Sequence, residues 1–172
     1  TRLRKALLQI KNQYDYIFID TAPSLGLLTL NALVAADSTI IPIQCEFYAL
    51  EGVSQLMNTF NLVKDGLNSD LKIEGILLTM ADFRTNLTNE VINEIKNYFK
   101  EKVYKSIIPR NIKLSEAPSF GKPIMLYDNN SIGAKKYEEL ARELLGEEGE
   151  NGKNFEAENT ETNLIKTNIK NN

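Results

Sequence analysis

A single carboxylate, Asp20, follows the run YIFI at 16–19, and Thr-Ala-Pro-Ser comes directly after it. Four apolar or aromatic residues ending in an acid read as a buried strand that delivers one carboxylate to its C-terminal end. In nucleotide-hydrolysing α/β proteins an aspartate so placed orients Mg²⁺, usually through a water. The competing use is a helix N-cap, because Asp20 and Ser24 both precede an amphipathic run. The two uses are compatible, with Asp20 on the metal and Ser24 on the cap. Magnesium–phosphate chemistry also needs a glycine-rich GxxxxGK[ST] loop, normally upstream. None of the fifteen residues before the strand is glycine. The expectation is therefore the back portion of a larger nucleotide-binding unit. The opening TRLRKALLQI fits that expectation: it is an amphipathic helix with Leu3, Ala6, Leu7 and Ile10 on one face and no evident cap before it.

Other chemistries are narrowed by what the chain lacks. With no histidine, general-base catalysis and metal binding by imidazole are excluded, and one cysteine, Cys45, forms neither an intrachain disulfide nor a thiolate zinc site. Cys45 reads as a small buried hydrophobe at a strand end, which suits a reducing cytoplasm. No apolar run approaches the ~18–20 residues that span a bilayer. The net charge of −3 lies in the tail, because residues from Gly146 onward hold six acids and three lysines. The body is neutral, so the acidic total does not argue against a DNA-binding patch.

Positioning these groups takes an alternation of strands and helices. Strands are expected at 16–20, 38–45, 73–80 and 103–109. Helices are expected at 25–36, 49–67, 88–100 (Thr88 as N-cap) and 132–145, the last ending at Gly146. Strands apolar nearly throughout, joined by helices, predict an α/β fold with a mostly parallel sheet covered on both faces. Ligands of such sheets bind beyond the C-terminal strand ends, where Asp20, Gln44, Met80 and Pro109 should emerge. Gln44 and Glu46 suit a nucleotide, a metal-bound water or a dimer partner as well as they suit a plain polar loop. In LSEAPSFGKP, Ser115 and Glu116 are expected to cap a short helical turn, with Pro118, Gly121 and Pro123 shaping the loop. Residues 1–145 are read as one domain portion. Residues 146–172, rich in Asn, Glu, Thr and Lys, are read as a disordered tail.

Several blocks carry a family likeness: DTAPSLGLLTLNAL, PIQCEFYALEG, EGILLTM with the nearby RTNL, and IPRNIKLSEAPSFGKPI at 108–124. Together they resemble the ParA family of chromosome and plasmid partition ATPases, the Soj-like members above all, over residues 1 to about 145. The deviant Walker A motif of that family, with its signature lysine, and its switch I aspartate have no counterpart here. The likeness implies a P-loop NTPase-like fold, truncated at its N-terminal side, with Asp20 as the Walker B carboxylate. It also implies Met80, Pro109 and Asn111 at the adenine of ATP, where a thioether and a proline ring pack on a purine and an amide reads its edge. Arg84 and Lys113 match positions implicated in contact with double-stranded DNA without sequence preference; Arg110 and Lys122 nearby read as solvated surface. Loops bearing separate cations can sum into one basic surface.

The family further implies ATP and Mg²⁺ as cofactors, an ATP-dependent homodimer, a ParB-type centromere-binding partner, and a cytoplasmic, nucleoid-associated location. Glu116 is the candidate residue at the dimer interface. No hydrolysis is expected of this chain alone, because no phosphate-binding lysine motif is present. Two rivals stand beside this reading. A MinD-like positioning ATPase would need a basic amphipathic C-terminal helix, which an acidic, Asn-rich tail does not supply. A non-enzymatic adaptor would keep the DNA or partner surface without nucleotide control.

Overall fold

The computed structural model describes residues 1–22 and 26–147. The expected cap Ser24 and all but the first two residues of the expected tail lie outside the described residues. In chain order the elements are α1 (Arg2–Leu7), α2 (Leu27–Ala35), β1 (Ser38–Gln44), α3 (Ala49–Gly66), β2 (Lys72–Thr79), α4 (Asn86–Phe99), α5 (Ile112–Glu116), α6 (Ile124–Tyr127) and α7 (Ile132–Leu144).

Side-chain alternation builds the sheet and its two covers. β1 and β2 pair in parallel, with Ile41 opposite Ile76 and Ile43 opposite Leu78. Ile41, Ile43 and Cys45 share one core with Ile76 and Leu78, with Val53 of α3, and with Val91, Ile92 and Ile95 of α4. Leu77, one residue out of phase, lies in a separate core with Tyr104 and Ile108, against which Leu140 and Leu144 of α7 pack. Ile76, Leu78 and Ile95 are fully enclosed, and each such side chain contributes roughly 1.5–3 kcal/mol through burial. A third core joins Leu33 and Val34 of α2 to Phe60, Val63 and Leu71. Buried Asn68 closes it by donating to the Leu33 and Ala36 carbonyls at 3.0 and 2.9 Å, which satisfies carbonyls that the end of α2 leaves open.

The expected strand at 103–109 forms only in part. Tyr104 N donates to Ile76 O and Ile108 N to Leu78 O, so β2 advances two residues while its neighbour advances four. The surplus, Lys105 and Ser106, bulges away from the ladder. Their amides donate instead to the two carboxylate oxygens of Glu143 on α7, at 2.6 and 3.0 Å. Pairing resumes at the Ala81–Pro109 bridge, which is parallel. Gly75 makes this approach feasible, since any Cβ there would overlap the Tyr104 ring.

The expected strand at 16–20 is the main correction. No described segment pairs with it, and Tyr16, Ile17 and Phe18 are exposed. A strand is stabilised by its ladder neighbours, and without one even a strongly β-forming run gains nothing from the sheet. Tyr16 and Phe18 instead stack on each other, centroids 6.4 Å apart. Three cap assignments also change. Thr1 caps α1 by accepting from Arg4 N at 3.4 Å. Thr85, not Thr88, caps α4 by accepting from Thr88 N at 3.3 Å. Asn111, rather than Ser115 or Glu116, caps the turn at α5 by accepting from Lys113 N at 2.8 Å.

Candidate functional site

The strand ends collect most of the residues singled out by chemistry. β2 leaves the sheet through Met80, whose φ of 55° lies in the left-handed region. That conformation costs a non-glycine residue about 1–2 kcal/mol. Beyond this kink Ala81 N donates to Ile108 O, and Arg110 N donates to Ala81 O. This exchange brings Met80, Pro109 and Asn111 to the same end of the sheet. Met80 is 37% exposed; Pro109 and Asn111 are half-buried. The cap fixes the Asn111 oxygen on Lys113 N, so its amide nitrogen is the end left to donate to an acceptor. A hollow of about 620 Å³ lies alongside, lined by Pro42, Gln44, Glu46, Phe47, Tyr48 and Leu56 among others, and touches none of the trio.

Asp20 is not brought to this end by pairing. It is exposed at the close of the unpaired run 16–20. Among the described residues no group of three or more acids or thiols is placed to hold a metal. Magnesium that keeps its waters and takes phosphate oxygens needs only one or two carboxylates. The chemistry of Asp20 fits that role.

Arg84, Arg110 and Lys113 each have an acidic partner. Arg84 is held by Asp82, Nε to Oδ1 at 2.8 Å and Nη2 to Oδ2 at 2.6 Å. These bonds hold the Asp82 carboxyl at about pKa 2, with the backbone amide of Arg84 adding to them and Arg110 contributing a weaker attraction. Arg110 pairs with Glu46 at 2.9 Å, tying the loop after β1 to the third sheet position across β2. Arg110 stays on the exposed surface, as expected, and its pair there is with Glu46. Lys113 pairs with Glu116 at 2.9 Å, and the Tyr127 hydroxyl donates to the same Glu116 oxygen at 2.9 Å. Both bonds lower the Glu116 pKa, and the Lys113 value rises in return. Lys113 Nζ also lies 5.7 Å from the Tyr127 ring centroid. α5 is seated by Gly133 of α7, where a Cβ would lie 2.7 Å from Leu114 Cγ. Sequence reasoning missed Asp82, Tyr127 and Glu143. Only Asp82 left a local signal, an acid two residues before an arginine.

Comparison with known proteins bears on this arrangement. A family model described as an AAA domain matches residues 1–73. The sporulation initiation inhibitor protein Soj of Bacillus subtilis (strain 168) is 64% identical over 143 residues, 83% of this chain and 56% of that protein. The chromosome partitioning protein ParA of Myxococcus xanthus (strain DK1622) is 62% identical over 84% of this chain and 51% of its own length. The chain thus spans about half the length of the curated relatives it matches. Among solved structures, cobyrinic acid a,c-diamide synthase from Mycobacterium smegmatis, with bound ATP analog and magnesium, superposes with a TM-score of 0.67 at 36% identity. The match covers 83% of this chain and 51% of that one. Across most of its length, this chain is a homologue of the Soj/ParA chromosome-partitioning ATPases.

Proposed function

We propose that this chain is part of a ParA-type partition ATPase, in which ATP controls homodimerisation and sequence-independent binding to double-stranded DNA. The observation that carries the reading is the Ala81–Pro109 bridge. It gathers Met80, Pro109 and Asn111 at one sheet end and starts the Arg84 and Lys113 loops from adjacent strand ends. Met80 and Pro109 would flank adenine while the Asn111 amide nitrogen donates to its edge. Asp20 would hold Mg²⁺, mostly through water. Catalysis in this class rests on positioning and charge stabilisation around the γ-phosphate, and the required GxxxxGK[ST] loop does not occur in this sequence. Hydrolysis is accordingly a property of the whole protein and not of these 172 residues. A ParB-type partner and a cytoplasmic, nucleoid-associated location complete the proposal, supported by the partitioning names of the relatives.

The test is fluorescence anisotropy of the whole partition protein that the proposal implies, with ATP and Mg²⁺ present and with duplexes of unrelated sequence. Similar affinity for all of them, reduced by Arg84→Glu and by Lys113→Glu, is expected. Each lost phosphate contact should also flatten the dependence of log K on log salt by about 0.9. Unchanged binding in both variants would sink the DNA reading.

A further inference from the structure

The side chain of Arg84 is 86% exposed, yet its guanidinium is gripped. Asp82 takes Nε and one Nη2 hydrogen along the same side of the plane. The backbone amide of Arg84 adds a third bond to Asp82 Oδ1 at 3.2 Å. Asp82 is anchored in turn. Its amide donates to the hydroxyl of buried Thr88 at 3.3 Å, and its carbonyl accepts from Thr85 N at 3.0 Å. Its side chain is only 24% exposed, so the acid sits behind and the cation in front. A guanidinium carries five N–H groups. Two are spent on Asp82, which leaves both Nη1 hydrogens and one Nη2 hydrogen on the outer edge. That paired edge is the one that meets a phosphate with two parallel bonds.

We propose that Asp82 is a positioning residue for Arg84, holding the guanidinium side-on so that its outer edge is presented to a backbone phosphate of double-stranded DNA. The inference rests on the DNA-binding reading of Arg84 and adds to it the residue that orients the contact. Simple charge counting gives the opposite sign. Removing an acid from an anion-binding face should tighten binding. Positioning says that it weakens, because a loosened arginine must surrender its rotamer freedom on contact.

The experiment compares Asp82→Ala, Arg84→Ala and the unsubstituted protein, each in the whole partition protein with ATP and Mg²⁺ present, by anisotropy with a mixed-sequence duplex over a salt series. Asp82→Ala is expected to bind about three- to tenfold more weakly, approaching Arg84→Ala, with a salt slope shallower by about 0.9, the signature of one lost phosphate contact. The double substitution should lose no more than Arg84→Ala alone. Unchanged or tighter binding by Asp82→Ala, while Arg84→Ala weakens, overturns the positioning role and leaves the DNA reading intact. No effect from Arg84→Ala overturns the DNA reading beneath it. A measurement on the unaltered chain guards against a variant that does not fold. The Arg84 Nε–H proton should exchange with water markedly more slowly than that of an unpaired exposed arginine, and equal exchange rates would refute the grip itself.

Discussion

Glu143→Ala tests whether a helix side chain, rather than the ladder, holds the third position of the sheet. Between Tyr104 and Ile108 the backbone runs two residues longer than β2 beside it, so the amides of Lys105 and Ser106 have no carbonyl of β2 within reach. Glu143 accepts both, Oε1 from Lys105 N at 2.6 Å and Oε2 from Ser106 N at 3.0 Å. A hydrogen bond to a charged group has a net worth of about 1.5–3 kcal/mol. Lys105 is exposed and its amide finds water after the substitution. Ser106 is 5% exposed, so its amide loses its partner without a ready replacement. The expected loss is therefore about 2–3 kcal/mol for Glu143→Ala. Glu143→Gln should lose about 1–2 kcal/mol, because its one oxygen serves a single amide while its NH₂ faces the other donor. Alanine is the better helix former of the pair, so propensity works against this loss and cannot imitate it. Urea unfolding followed by far-UV circular dichroism measures the change, and the slope m should stay constant. An ordinary helix-surface substitution moves stability by no more than about 0.5 kcal/mol. A Glu143→Ala change inside that band, with amide exchange at Ser106 unaltered, would show that the bulge is held by core packing alone and refute the reasoning.

Two further expectations concern the core. Gly75→Ala should destabilise by about 1–3 kcal/mol, the usual cost of overpacking, because its Cβ would overlap the Tyr104 ring; Gly75→Ala combined with Tyr104→Leu should recover part of the loss in the same urea assay. Cys45 is 4% exposed, and burial pushes its thiol up from 9.0 to about 11. At pH 8 its thiolate fraction, and with it the rate of alkylation by iodoacetamide, should be about a hundredfold below that of a free cysteine. Because the folded value lies above the unfolded one, this group's contribution to stability is complete below pH 9 and declines as pH rises toward 11.

The parts of the fold that could be read from the sequence are those where local pattern and tertiary packing agree. The run STIIPIQC alternates so that Ile41, Ile43 and Cys45 fall on one face, and that face is buried. Val91, Ile92 and Ile95 recur at helical spacing and pack onto the same core. YIFID carries an equally strong β pattern, yet no described segment pairs with it, because strand formation depends on a neighbour that propensity does not reveal. The bulge at Lys105 and Ser106 was hidden for a related reason. It depends on Glu143, nearly forty positions away in sequence. The cation partners divide in the same way. Asp82 stands two residues from Arg84 and Glu116 three from Lys113, whereas the Glu46–Arg110 pair is separated by 64 positions. Arg84, Arg110 and Lys113 do not form an unopposed basic surface as charge summation suggests; each meets a carboxylate.

Among the described residues two that are not glycine adopt positive φ, Met80 at 55° and Lys100 at 49°, and the contrast between them bears on the site. Lys100 follows the last turn of α4 as its C-cap and donates its amide to Lys96 O. Its ψ of −121° sets it apart from the αL residue that commonly ends a helix, so the position is one that glycine adopts more readily. Met80 ends a strand. Its unusual φ turns the chain just after Thr79 O accepts from Cys45 N on the β1 side, and Ala81 then continues the far-side pairing begun at Ile76 and Leu78 by donating to Ile108 O. Glycine would make that turn without strain, and a methionine there gives up about 1–2 kcal/mol to keep its side chain. The inference runs from the observed outlier to function. A half-exposed thioether held at a strained strand end, at the same end of the sheet as Pro109 and an amide whose oxygen is already committed, is hard to explain by packing alone. On the proposed reading, this placement suits a flat, polarisable ligand such as a purine.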